Sequence, residues 1–77
     1  MYEVAVRFKF VKENRVIECL LDNRLSFIDN FSNLKELIDE DINNFEIYDY
    51  KKSIFLNKDV PINNFEIKSF IQLYVFT

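Results

Sequence analysis

The chain has no glycine, no histidine and no tryptophan, and its 77 residues include one cysteine and one proline. Each absence removes a class of chemistry. Without histidine there is no Ser-His-Asp or Cys-His pair and no imidazole metal site. Without glycine there is neither a Walker loop nor a GxGxxG turn, since both need positive φ or a close backbone approach to phosphate. Cys19 has no partner for an intramolecular disulfide, and it lies in a strand-like run over residues 16–21, where a buried, inert thiol is expected. No run approaches the ~18 apolar residues that span a bilayer. The first residues alternate rather than forming a basic segment with an apolar stretch, so no secretory signal is read. The expectation is a non-enzymatic, cytoplasmic protein of one domain over residues 1–77, with no cofactor, no metal and no membrane insertion.

What is present is apolar and aromatic. Nine phenylalanines and four tyrosines stand in a chain that is 49% hydrophobic, enough buried surface to offset the entropy of folding. The net charge is −3, and its distribution is uneven. Residues 22–49 carry two cations and eight anions, whereas residues 50–77 carry four cations and two anions. The acidic tract of Glu36, Asp39, Glu40, Asp41, Glu46 and Asp49 repels a phosphate backbone, so nucleic acid is not an expected partner. Small basic clusters remain at Arg7, Lys9, Lys12 and Arg15 and at Lys51 and Lys52.

Residues 2–10 alternate with period two, placing Tyr2, Val4, Val6, Phe8 and Phe10 on one face of a strand. A turn at Lys12, Glu13 and Asn14 follows, with Asn14 able to take a left-handed conformation. A second strand over 15–21 puts Ile17, Cys19 and Leu21 on one face and Val16, Glu18 and Leu20 on the other, which makes a hairpin. The period then changes. Phe27, Phe31, Leu34 and Ile38, with Leu37, form an amphipathic helical stripe. Ser26 and Asp29 resemble a capping box, so the helix starts near residue 26 and either stops near Ile38, before the acids that its dipole disfavours, or holds those acids out in solvent; a start at Ser32 is the alternative.

Residues 45–50 alternate again, Lys51 and Lys52 form the next turn, and residues 53–56 are short enough for an edge strand. A loop opens at Asn57, which with Asn14 is expected to carry a turn usually given to glycine, and Pro61 stops regular pairing. Ile62, Phe65 and Ile67 pin this loop to the core through a short helical turn. Residues 70–76 close the chain as a strand, with Ile71, Leu73 and Val75 on one face and Phe70, Gln72, Tyr74 and Phe76 on the other. The run Asn-Asn-Phe-Glu-Ile at 43–47 recurs at 63–67, a single recurrence that does not make a repeat protein. A helix between two hairpin-like pairs buries its stripe only across one face of a mixed sheet. The fold class is therefore α+β, a β-grasp of four to five strands whose first and last strands pair in parallel.

This order resembles ubiquitin, most specifically in Ile62, Phe65 and Ile67 followed by the alternating Ile71, Gln72, Leu73, Tyr74 and Val75. The resemblance covers the whole chain. Conjugated modifiers and sulfur carriers end in a flexible diglycine tail, whereas this sequence runs from strand to Phe76 and Thr77 without one. It is similar instead to the YukD/EsaB group, ubiquitin-like proteins without diglycine that belong to the type VII secretion system of Gram-positive bacteria. It departs from that group in carrying Lys68 and Ser69 where a Gly-Asp turn is often found. Membership implies a non-enzymatic cytoplasmic adaptor or regulator with a protein partner, such as a secretion-system membrane component or ATPase. A sulfur carrier or conjugated modifier with an altered C-terminus, and a small phage-type inhibitor of a host protein, are the alternatives.

Ubiquitin-like domains bind chiefly through the sheet face away from the helix. On this face the alternation places Tyr48, Tyr50, Phe70, Tyr74 and Phe76, rigid rings of the kind that anchor interfaces. The acids Glu36, Asp39, Glu40 and Asp41 at the helix end form a second candidate surface. Oligomeric state is left open, including whether the edge strand pairs with another chain.

Overall fold

The computed structural model describes residues 2–34 and 44–77. Its five strands form one mixed sheet in the order β2-β1-β5-β3-β4. β1 (Glu3–Phe10) and β2 (Arg15–Asp22) make the antiparallel hairpin that the period-two pattern requires, with Phe8 opposite Ile17 and Val6 opposite Cys19. Val4, Val6, Phe8 and Phe10 are buried, as are Ile17, Cys19 and Leu21. Tyr2, expected on the same face, is instead exposed. The pairing ends at Glu3 and Asp22, the Tyr2 carbonyl accepts the Asn23 N–H at 2.7 Å, and the ring turns out beneath the Arg24 guanidinium, 4.2 Å from its centroid.

α1 (Phe27–Asn33) starts where Ser26 caps it: the Ser26 Oγ accepts the Asp29 N–H at 3.0 Å. α1 ends before the expected Ile38: Leu34 leaves helical geometry at φ −109° and ψ 24° and closes the last turn with its N–H on the Phe31 carbonyl at 3.1 Å. Leu37, Ile38 and the acids beyond lie outside the described residues. Phe27 and Phe31 lay the helix across the sheet, edge-on to Phe8 at centroid distances of 6.2 and 5.0 Å, and Phe31 stacks on Phe45 at 4.8 Å. Asn30 is buried and fully used. Its Oδ1 accepts the Asp22 N–H at 2.8 Å, and its Nδ2 donates to the carbonyls of Asp22 and Ser26 at 3.0 and 2.9 Å. A buried amide satisfied in this way ties the end of β2 to the first turn of the helix.

β5 (Ile71–Phe76) runs parallel to β1, with Phe8 opposite Leu73, and antiparallel to β3 (Glu46–Asp49), which in turn pairs with the short edge strand β4 (Ile54–Leu56). Between β4 and β5 a 3-10 turn, Ile62–Asn64, buries Ile62, and Phe65 and Ile67 pack against the core as expected. The N–H groups of Ile62 and Asn63 donate to the carbonyls of Leu25 and Asn23, locking this loop to the entry of α1. The result is the β-grasp arrangement.

A chain without glycine must give its left-handed turns to other residues. Asn14 takes one, at φ 51°, as its side chain leads one to expect. Asn57 does not. Its Oδ1 accepts the Asp59 N–H at 2.9 Å in a local side-chain turn, while the left-handed positions fall at Ser53 (φ 55°) and Phe70 (φ 68°). The tight return from β3 to β4 and the entry into β5 impose these two, irrespective of residue preference.

Candidate functional site: an aromatic half-sheet

The sheet face away from α1 divides into two halves. On β1 and β2 it is mixed and without aromatic rings: Val16 and Leu20 are exposed beside Arg7 and Glu18, which pair at 3.1 Å, and Lys9 reaches the Asn14 side chain. On β3, β4 and β5 it is aromatic. Tyr48 lies opposite Tyr74 in the β3–β5 register and opposite Phe55 in the β3–β4 register, so one alternation on three strands delivers three rings to one surface. Phe76 and Tyr50 extend it along the strands.

The rings touch in a continuous chain. Phe55 lies 4.9 Å from Tyr48 and 6.3 Å from Phe76, Tyr48 contacts Phe76 at 6.3 Å and Tyr50 at 6.5 Å, and Tyr50 stacks on Tyr74 at 5.7 Å. Tyr50 and Phe55 remain 67% and 61% exposed, so mutual contact does not hide them. Five adjoining rings, three with a phenolic hydroxyl, form an amphipathic surface that stays folded in water and gains by being covered.

Of the five residues that the sequence placed here, Tyr48, Tyr50, Tyr74 and Phe76 come together. Phe70 does not. Its positive φ turns the chain just before β5 begins, so the alternation that carries Tyr74 and Phe76 stops at Ile71. Phe55 belongs to the cluster and was not foreseen; the signal was a β3–β4 turn centred on Lys51 and Lys52, which sets Phe55 opposite Tyr48.

The second candidate surface, Glu36, Asp39, Glu40 and Asp41, lies outside the described residues. Two other members of the acidic tract are accounted for locally. Glu46 lies 3.6 Å from the Lys58 ammonium, and Asp49 is buried, its Oδ1 accepting the N–H groups of Lys51 and Lys52 at 3.1 and 3.3 Å. Asp49 thus caps a turn and adds no acidic surface.

Among the described residues no cluster of His, Cys, Asp or Glu could hold a metal ion, and no helix is long and apolar enough to cross a membrane. Cys19 faces the core, where burial, aided by the neighbouring Glu18 charge, pushes its thiol from 9.0 up to about 11. It offers no thiolate at neutral pH.

No protein-family model matches the chain, and no curated protein matches it in sequence. Its likeness is to solved structures. The ubiquitin-like domain of Arabidopsis thaliana protein At2g32350 superimposes with a TM-score of 0.77 at 17% identity, covering 99% of this chain and 78% of that one. The UBL domain of Plasmodium falciparum Dsk2 gives 0.76 at 12% identity, with 96% of each chain covered. The ubiquitin-like domain of the Mycobacterium tuberculosis type VII secretion system protein ECCD1 gives 0.64 at 13% identity and covers both chains completely. At these identities the likeness establishes the fold: this is a ubiquitin-like β-grasp domain.

Proposed function

We propose that the chain is a ubiquitin-like adaptor that binds a protein partner through the aromatic half of its sheet and catalyses nothing itself. The observation that carries this reading is the exposed five-ring cluster of Tyr48, Tyr50, Phe55, Tyr74 and Phe76 on one face of a rigid sheet. Its anatomy is that of an interface, an aromatic centre beside a margin that holds the Arg7–Glu18 pair.

The partner is a component of a type VII secretion apparatus in a Gram-positive cell, a membrane protein or its ATPase, met on the cytoplasmic side; the chain is then of the YukD/EsaB kind. Two observations support this. The sequence resembles that group in its strand order, and the fold is similar to the ubiquitin-like domain of a type VII secretion protein.

Co-purification of the tagged chain from its own cells, followed by identification of what it retains, tests the assignment. Recovery of secretion-apparatus proteins is the expected result. Recovery of an adenylating enzyme, with a covalent adduct in the intact mass, contradicts it.

A further inference from the structure

Phe70 is 71% exposed, more than any other large apolar side chain among the described residues, and it holds a left-handed backbone at φ 68°. That conformation is disfavoured for any residue with a β-carbon. It is held from outside: the Phe70 N–H donates to the Ala5 carbonyl at 2.7 Å, and Ile71 N–H closes the turn onto the Lys68 carbonyl at 3.3 Å. The ring buries little in exchange. Strain coupled to an exposed aromatic is the kind of local conflict that function explains better than stability does.

The ring borders a groove of about 450 Å³ between the β3–β4 turn and the start of β5, whose rim carries Lys51, Lys52 and Lys68 against one exposed acid, Glu66. Asp49 adds a second carboxylate to the lining, buried and accepting the backbone N–H groups of Lys51 and Lys52. None of the three lysines is in an ion pair among the described residues. With three lysines against two carboxylates, a chain of net charge −3 thus presents a net positive rim around its most exposed ring. Asp49 and Ile71 share the alternation of the core residues Ile47 and Leu73, so the groove opens on the helix side of the sheet and is separate from the aromatic face.

We propose that this groove docks an acidic segment of a partner protein, with an apolar side chain of the segment against the Phe70 ring and its carboxylates among Lys51, Lys52 and Lys68. Charge complementarity selects the occupant, and the acidic remainder of the chain disfavours a polyanionic nucleic acid that would lie across more of the surface. This docking is independent of the aromatic face and can operate alongside it.

The test is an NMR titration of the full chain, labelled with nitrogen-15, against three probes: a blocked peptide of glutamates flanking a leucine, its lysine counterpart, and oligothymidine. The glutamate peptide should move the amides of Lys51, Lys52, Ser69 and Phe70, with an affinity that falls as salt rises. Lys68→Glu should weaken it about tenfold. Phe70→Gly should abolish the shifts while raising Tm by about 4 °C, because glycine relieves the left-handed turn, so loss of docking cannot be ascribed to misfolding. The proposal is overturned if the glutamate peptide produces no shifts, if the lysine peptide or oligothymidine moves the same amides as strongly, if the shifts fall on Tyr48 and Tyr74, or if Phe70→Gly keeps full affinity.

Discussion

Tyr74 stacks on Tyr50 rather than on Tyr48, its direct cross-strand partner: the Tyr50 and Tyr74 rings lie 5.7 Å apart with planes inclined by 22°. Diagonal neighbours on a twisted sheet are within reach of aromatic side chains, and here Tyr48 turns the other way, towards Phe55 at 4.9 Å. The stack and the Tyr48–Phe55 pair together hold the cluster open to solvent as one surface.

A double-mutant cycle on Tyr50 and Tyr74, read from urea unfolding, should return a coupling energy of about 1 kcal/mol. The Tyr48–Tyr74 cycle should return clearly less despite the direct pairing. The reverse order would mean that register, not stacking, governs this face.

Asn30→Ala removes a buried amide that serves both the N–H and the carbonyl of Asp22. The Asp22 carbonyl keeps the Leu25 N–H at 3.1 Å, so the cost is that of the side-chain amide bonds lost, about 2 kcal/mol. Ser26→Ala, which removes only the helix cap, should lose about 1 kcal/mol. Urea midpoints for the two variants check the ranking.

The Asp22 carboxyl is held down from 3.8 to about 2, first by the Arg24 side chain, at 2.7 and 3.0 Å, and then by the Arg24 backbone N–H. Its folded value lies below its unfolded one. Its contribution to stability is therefore present above 3.8 and is lost as pH falls towards about 2. Carboxyl-carbon NMR should place the Asp22 midpoint near 2 in the wild type and closer to 3.8 in Arg24→Ala. Equal midpoints in the two proteins would show that the pair does not form in solution.

Cys19, with its thiol pushed up to about 11, should resist a disulfide reagent in the native protein at pH 8. Unfolding restores ordinary acidity and access, and the rate in urea should rise at least about a hundredfold, the factor that two pKa units supply. Comparable rates in both states would place the thiol at the surface.

The strands of the first hairpin were legible because each buried residue alternates with a polar or exposed one, and the helix start because Ser26 and Asp29 carry their own capping chemistry. Four of the five rings assigned to the sheet face follow from the same alternation. The failures lie where tertiary structure sets the backbone. Phe70 is turned by a hydrogen bond to Ala5, a distant strand, and Ser53 takes a left-handed position because the hairpin is tight, although its side chain gives no sign of it. Phe55 joins the cluster through a three-residue strand too short to show a period of its own. Tyr2 lies one residue beyond the last strand pair, where the pattern continues but the core does not.

The most direct test of the aromatic face is recovery of the partner on immobilised wild-type chain and on a Tyr48→Ala, Tyr74→Ala double variant whose fold is verified by its amide NMR spectrum. Both side chains are partly exposed, so the variant should remain folded. Removing two central interface rings should reduce recovery by at least about tenfold. Undiminished recovery by a correctly folded double variant would contradict the central claim that this chain binds through the aromatic half of its sheet.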